Sequence, residues 1–178
     1  MPLIMFKTYQ IPDKYSEEEK EIYKDLIDQF RTRIGDDIPE KNVLHNKALR
    51  YPDGKVVRFI NTAISDINGF GIPFTHYTLN QMYGRNPALM ILGAMVNMCV
   101  SEGLFQAANG IDFSDSGLSI AMYNKTGIYQ GWHGTLLQIY HMQIKDFKTG
   151  IIMSGPNAGF VGIGTEFGYR NGGGGYYY

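Results

Sequence analysis

Cysteine is nearly absent from this chain of 178 residues, since Cys99 is the only one. A single cysteine cannot form an intramolecular disulfide, which fits a reducing compartment. Cys99 lies in an apolar run from Ala88 to Val100. We therefore expect a buried, inert thiol rather than a nucleophile, which would need a polar and activating environment.

Neither sign of charge is in excess. The chain has 16 lysine and arginine residues against 17 aspartate and glutamate residues, for a net charge of −1. Nonspecific binding to nucleic acid depends on basic side chains that neutralise phosphates. The balance of charge therefore argues against nucleic acid as a direct ligand.

Charge of either sign is scarce after residue 58. Residues 59–178 hold 11 of the 33 charged side chains, five basic and six acidic, and residues 1–58 hold the other 22. A soluble monomer normally covers its exterior with mixed charge. A long, weakly charged stretch indicates a surface that contacts another chain.

Signals for secretion or membrane insertion are also missing. The N-terminal segment Met1–Lys7 lacks a basic start, a long apolar stretch and a cleavage site. The most apolar run, Ala88–Val96, is followed by Asn97 and Glu102, well before the roughly 20 apolar residues that a membrane span needs. We expect a buried helix there and no membrane partner.

No catalytic, metal or cofactor motif is visible. His133 and His141, on one predicted helix, are separated by about 12 Å of helical rise, too far to share a metal. The glycine-rich residues 159–168 lack the spacing of a phosphate loop. We assign no catalytic residue, metal or cofactor. A small enzyme is the minor alternative, and its pocket would have to lie around four residues: His76, Tyr77, Asp112 and Asp115.

The pattern that is present predicts a mainly α fold, a small helical bundle with a short β-hairpin and an extended C-terminal β-strand or tail. Ser16 and Glu19 form a capping box before a charged helix that ends at Gly35. A second helix is predicted from Asp53, as its cap, to Asn68–Gly69. Phe74–Leu79 is expected to be an ordered loop or a short edge strand.

Two further helices are predicted. Asn86-Pro87 is a strong helix start, and the helix to Ala108 is apolar on nearly every face, as expected in the middle of a bundle. Its Gly93 and Gly103 indicate close approach by a neighbour. The segment Ile111–Ile120 predicts the hairpin. The last helix is predicted over Lys125–Lys148, with one side formed by Ile128, Trp132, Leu136, Ile139 or Tyr140, and Gln143 or Ile144.

The C-terminal tail has the period of a strand. The chain divides into a helical domain, residues 1–153, and a tail, residues 154–178, in which large residues alternate with glycine from Phe160 onward. A disordered glycine-rich terminus is the alternative. We expect instead that this strand adds to a sheet of a neighbouring subunit or another protein, because an isolated strand does not hold itself together.

The order of elements resembles the head–tail connector (neck or adaptor) proteins of tailed bacteriophages over roughly residues 16–148. The resemblance includes a charged helix, Ala48–Asp53 leading into Phe59–Asn68, the Asn86–Ala108 helix, and a final helix beginning near Tyr129-Gln130. Its most specific part is the Phe113–Ser119 hairpin between two helices.

The resemblance implies a non-enzymatic virion protein that assembles in the host cytoplasm. In that family, subunits form a ring beneath the portal, here expected to be a homo-oligomeric dodecamer, and DNA passes through without sequence-specific binding. The partners are the portal protein and a tail or second neck protein. A tail-completion or head-decoration protein is the alternative within the virion. The candidate docking residues are Val161, Ile163, Phe167, Tyr169, Tyr176, Tyr177 and Tyr178.

Overall fold

The computed structural model describes residues 9–41, 48–108, 112–115, 118–121 and 126–154. Within these ranges the chain is mainly helical, as predicted, and a single 3-10 turn at Pro39–Lys41 accompanies the α-helices. The α-helices are α1 (Glu17–Ile34), α2 (Asp53–Gly69), α3 (Leu79–Arg85), α4 (Pro87–Ala108) and α5 (Thr126–Ser154).

Helix α1 begins and ends where the sequence predicts. The Ser16 hydroxyl accepts a hydrogen bond from the Glu19 amide at 3.2 Å, and the Glu19 carboxylate accepts one from the Ser16 amide at 2.9 Å. Gly35 terminates the helix at φ 71°, a left-handed conformation that glycine adopts at no steric cost. One stripe of α1 is buried and the rest is exposed, as the charged pattern predicts. The buried apolar residues are Tyr23, Leu26, Ile27 and Phe30.

Helix α2 has the predicted bounds, but Asp53 does not cap it. Pro52 occupies the N-cap position, and no side chain caps the helix. The Asp53 carboxylate instead lies 2.7 Å from a guanidinium nitrogen of Arg31 and accepts a 2.6 Å hydrogen bond from the Gln10 amide. The prediction of a cap was wrong because this carboxylate joins α1, α2 and the segment before α1.

The loop after α2 is ordered by side chains and leads into a helix that the sequence analysis did not predict. The Asn68 amide oxygen accepts hydrogen bonds from the Thr75 hydroxyl and the Tyr77 amide, at 2.9 and 2.8 Å. Helix α3 then begins after Thr78, which forms a capping box with Gln81. This box was the signal for α3, and it was missed because the helix is too short to show periodicity.

Helix α4 is the centre of the bundle and contacts the other four helices of the described chain. The stretch Pro87–Phe105 is long and apolar enough to cross a membrane, but half of it is buried inside the protein. Asn86 begins the helix as predicted, since its side-chain oxygen accepts a hydrogen bond from the Leu89 amide at 3.0 Å. The prediction of close approach is confirmed at Gly93 and wrong at Gly103, where an added β-carbon would make only ordinary contact.

Helix α5 runs antiparallel to α4 and ends at Ser154 rather than at Lys148. Residues Gly93 and Gly103 of α4 lie beside Tyr140 and Tyr129 of α5, which sets the antiparallel direction. The residues predicted to share one side of α5 differ in burial. Its buried residues are Tyr129, Tyr140, Ile144 and Lys148, whereas Ile128 and Trp132 are exposed.

The β part of the predicted fold class requires correction. Between α4 and α5, the backbones of β1 (Asp112–Asp115) and β2 (Leu118–Ala121) run antiparallel. The turn between them, residues 116–117, lies outside the described residues, so a hairpin is not established as part of the packed fold. The predicted C-terminal strand and tail, residues 155–178, also lie outside them. Every element with described side chains is a helix or a loop, and the fold of this part is α.

Candidate interaction surface

The antiparallel pair α4 and α5 presents a surface almost without charge. Helix α4 has one charged residue, Glu102, which is buried. Helix α5 has none before Lys145. Helix α1, by contrast, carries acidic and basic residues along its exposed face, and pairs such as Lys20 with Glu17 lie in solvent. The two sides of the molecule therefore differ in what they can contact favourably.

Large apolar side chains are exposed where the end of α4 meets the start of α5. We call this region the α4–α5 tip and define it as residues 99–107 and 127–133. The exposed fraction is 67% for Leu104, 55% for Trp132, 43% for Ile128 and 39% for Val100. Isolated apolar residues on a surface are ordinary, but a group of them on an uncharged surface is typical of an interaction site.

The tip has two different sides. A narrow groove on one side is lined by Val100, Gly103, Leu104, Ala107, Gln130 and His133, and its volume is about 210 Å³. A wide cavity on the other side is lined by residues that include Met95, Met98, Ile128 and Trp132. Cys99 and Tyr129 are in the described linings of both. Met95 of the cavity and Leu104 of the groove are nine residues apart on α4, which is two and a half turns, so they lie on opposite faces of the helix and the two sides open on opposite flanks of the helix pair.

The wide cavity has a volume of about 740 Å³ and lies between the end of α1, the segment before α2, and helices α4 and α5. Its walls are apolar and aromatic, with contributions from Tyr51, Met98 and Leu136. Arg33 at the end of α1 is exposed and contributes to its lining. A cavity of this size and composition can accept apolar or aromatic groups from a partner.

A polar cluster holds the base of the tip in place. An Arg50 guanidinium nitrogen donates to the Glu102 carboxylate and to the Tyr129 hydroxyl, each at 2.7 Å. The Lys55 ammonium lies 3.5 Å from the same carboxylate. Glu102 is buried, so these cations offset the cost of placing its charge away from water. The cluster fixes α4, α5 and the segment before α2 relative to one another.

The Cys99 thiol behaves as the sequence predicts. Its side chain is buried. Burial raises the pKa of the thiol, and the nearby Glu102 carboxylate raises it further. A raised pKa keeps the sulfur protonated at neutral pH, and the protonated form is a poor nucleophile. Cys99 is part of the wall of the wide cavity and not a reactive group.

Of the four residues that would form the alternative enzyme pocket, the structure describes the side chains of two. His76 is exposed, and the Tyr77 ring packs edge-on against Phe147 at 5.9 Å. Asp112 and Asp115 belong to β1, of which only the backbone is described. No group of three histidine, cysteine, aspartate or glutamate residues in the described part of the chain could hold a metal ion.

The seven predicted docking residues all lie beyond Ser154, outside the described residues, so their predicted role stays a prediction. The tip residues were not predicted as contact residues. Trp132 and Ile128 were predicted to lie on one side of α5 because their spacing is helical, and no partner was assigned to that side. The available signal was the absence of lysine, arginine, aspartate and glutamate along α5 before Lys145, which leaves this part of the helix without a charged face.

Comparison of the chain with protein-family models, curated proteins and solved structures finds no match.

Proposed function

We propose that the chain is a structural subunit of a tailed-phage virion, a head-to-tail connector that forms a ring under the portal. The order of elements over roughly residues 16–148 supports this assignment through its resemblance to connector proteins. The observation that carries it is the α4–α5 tip, whose one charged residue, Glu102, is buried and where Leu104 and Trp132 remain exposed in the single chain. A subunit of a closed assembly needs such a surface.

The balance of charge supports a conduit better than a DNA-binding protein. Strong basic contacts would hold back a polymer that has to pass through a channel. Two cations at the base of the tip are already engaged, because Arg50 and Lys55 face Glu102. Arg33 is the exposed cation of the wide-cavity lining. The ring would therefore offer DNA a passage without sequence-specific contacts, and it would offer the tail a platform for attachment.

The C-terminal tail is the proposed docking element of this subunit. Its alternating large residues would contact the portal or a neighbouring subunit, and its last three tyrosines would enter a pocket or groove. The proposed contact residues are Val161, Ile163, Phe167, Tyr169, Tyr176, Tyr177 and Tyr178.

The position of the protein in its native particle tests the assignment. We expect electron microscopy of particles that carry a labelled copy to show the label as a ring between the portal and the tail. A label over the capsid surface or at the distal end of the tail would replace the connector assignment with a decoration or tail-completion role. A particle without the label would refute a structural role altogether.

Truncation tests the docking role of the tail separately. A variant that ends at Ser154 keeps all of α5, so its helical part should unfold at the temperature of the full chain. We expect this variant to enter particles far less efficiently than the full chain. A matched control replaces the exposed Met142 with serine and keeps the tail. Equal incorporation of the truncated variant and the control would refute the docking role.

A further inference from the structure

The two sides of the α4–α5 tip differ in shape and in lining. The narrow groove presents the side chains of Val100 and Leu104, and the wide cavity presents those of Ile128 and Trp132. A face that pairs with itself around a two-fold axis requires only one such surface. Two unlike apolar surfaces on opposite flanks of one helix pair fit a different kind of contact.

We propose that the tip is the subunit–subunit interface, and that the narrow-groove side of one copy packs against the wide-cavity side of the next. The contact is heterologous, so each subunit uses both sides of its tip and has a neighbour on each flank. This inference rests on the proposed function, because it names the partner that the tip binds in the ring. The occupant is a second copy of this chain.

The exposed apolar area at the tip is comparable to the apolar area that a protein–protein interface buries. Leu104, Trp132, Ile128 and Val100 are between about two-fifths and two-thirds exposed, and an aromatic side chain alone can bury ~150–250 Å². Together with the apolar lining of the cavity, these side chains supply several hundred Å². A standard interface buries about 800 Å² per partner, of which somewhat more than half is apolar.

Charge does not oppose this contact. The one acidic side chain in α4, Glu102, is paired with Arg50 inside the subunit, and α5 has no charged residue before Lys145. The wide-cavity side also includes Arg33, which is exposed and can keep its guanidinium group in water beside the contact. Two tips can therefore approach with little cost from burying charge. The exposed face of α1 carries many charges and is not suited to this contact.

A pair of single-site variants tests the interface in the full chain. Leu104→Glu places a carboxylate on the narrow-groove side, and Trp132→Glu places one on the wide-cavity side. Met142→Glu is the matched control, because Met142 is 56% exposed on α5 outside the tip. All three sites are exposed, so we expect each variant to fold, and circular dichroism with thermal unfolding checks this.

The measurement is oligomeric state against concentration, by sedimentation velocity and native mass spectrometry. We expect the wild type and Met142→Glu to form the same oligomers. Leu104→Glu and Trp132→Glu should each associate at least tenfold more weakly, since a carboxylate would be buried without a partner. Association that is lost in Met142→Glu but kept in both tip variants would overturn the inference.

Mixing the two tip variants tests the heterologous arrangement itself. Leu104→Glu keeps an intact wide-cavity side, and Trp132→Glu keeps an intact narrow-groove side. A heterologous contact therefore predicts a one-to-one dimer in the mixture and nothing larger. No dimer in the mixture would overturn the heterologous interface. A wild-type protein that stays monomeric at every concentration would also overturn the heterologous interface. The proposed function has its own test, because it would be refuted by particles that lack the labelled copy.

Discussion

Gly93 of α4 lies so close to Tyr140 of α5 that no side chain fits between them. A β-carbon added at Gly93 would lie 2.5 Å from the Tyr140 hydroxyl oxygen and 2.6 Å from the β-carbon of Ala63 in α2. The same hydroxyl donates a buried hydrogen bond to the Ala63 carbonyl oxygen at 2.9 Å. Helices α2, α4 and α5 therefore pack together at one glycine.

Replacing Gly93 with alanine should destabilise the protein. The new methyl group would force apart a ring and a neighbouring helix, and overpacking of this kind typically costs about 1–3 kcal/mol. Chemical denaturation of Gly93→Ala measures this loss. Gly103→Ala is the control, because its β-carbon would meet only the Tyr129 β-carbon at 3.7 Å. There the gain in helix propensity should dominate, with a stabilisation of about 0.5–1 kcal/mol. Equal effects of the two variants would contradict the close contact at Gly93.

Lys148 connects α5 to the end of α2 through hydrogen bonds. Replacing this residue should therefore also destabilise the protein. The residue is 2% exposed. Its ammonium group donates to the carbonyl oxygens of Asn68, Phe70 and Pro73 at 3.2, 2.7 and 2.9 Å. It thereby satisfies carbonyls at and beyond the end of α2. Burial lowers the pKa of the ammonium group. Lys148→Met keeps an unbranched side chain, one heavy atom shorter, but leaves these carbonyls without a donor, so we expect a loss of about 1.5–3 kcal/mol.

The control for this prediction lies one turn earlier on the same helix. Lys145 is exposed, and Lys145→Met should leave the midpoint of thermal unfolding nearly unchanged. If the two methionine variants unfold at the same temperature, the buried ammonium does not contribute to stability as described.

Glu102, the only acidic residue of α4, should contribute to stability through its two cationic partners. Glu102→Gln keeps the shape but removes the charge that faces Arg50 and Lys55. Because Arg50 is partly exposed, we expect a moderate loss, about 1–3 kcal/mol, below that of a fully buried pair. The exposed ion pair of Glu17 with Lys20 is the comparison, and Glu17→Gln should produce no measurable change. A stable Glu102→Gln protein would show that the polar cluster does not hold the base of the tip.

The helices with strong local signals could be predicted from the sequence. The capping box at Ser16 and the helix start at Asn86-Pro87 act through backbone groups a few residues away, so the local sequence contains the information. The role of Asp53 could not be predicted in this way. Its partners, Arg31 and the Gln10 amide, are distant in sequence and meet it only after α1 and α2 have packed.

The sequence predicted that a weakly charged interaction surface exists, but it did not predict which residues form it. The scarcity of charge after residue 58 indicates a surface for another chain, and the described part of that region does expose a weakly charged apolar tip. Trp132 and Ile128 were placed on one side of α5 but were not identified as contact residues, because helical spacing cannot distinguish a stripe that faces the core from one that faces a partner. That difference depends on which helix is available to cover the stripe.

Asp66 should make stability depend on pH in the acidic range. Its carboxylate lies in a groove beside Asn97 and His141, and burial raises its pKa above the ordinary value of 3.8, although Asn97 and His141 oppose the shift. Between 3.8 and the raised value, the folded protein binds more protons at this group than the unfolded chain does. The contribution of Asp66 to the free energy of unfolding is therefore fully present below pH 3.8 and is lost as the pH rises through the raised pKa.

Asp66→Asn removes this dependence, since an amide has the shape of the protonated acid and does not ionise. We expect the variant and the wild type to unfold at similar temperatures near pH 3, where the carboxyl is protonated in both states. As the pH rises, the variant should become the more stable of the two, and the difference should level off above the raised pKa because the carboxylate is then ionised in both states. Thermal unfolding of both proteins from about pH 3 to pH 8 measures this difference. A difference that stays constant with rising pH would show that Asn97 and His141 cancel the effect of burial, and one that changes in the opposite direction would show that they outweigh it.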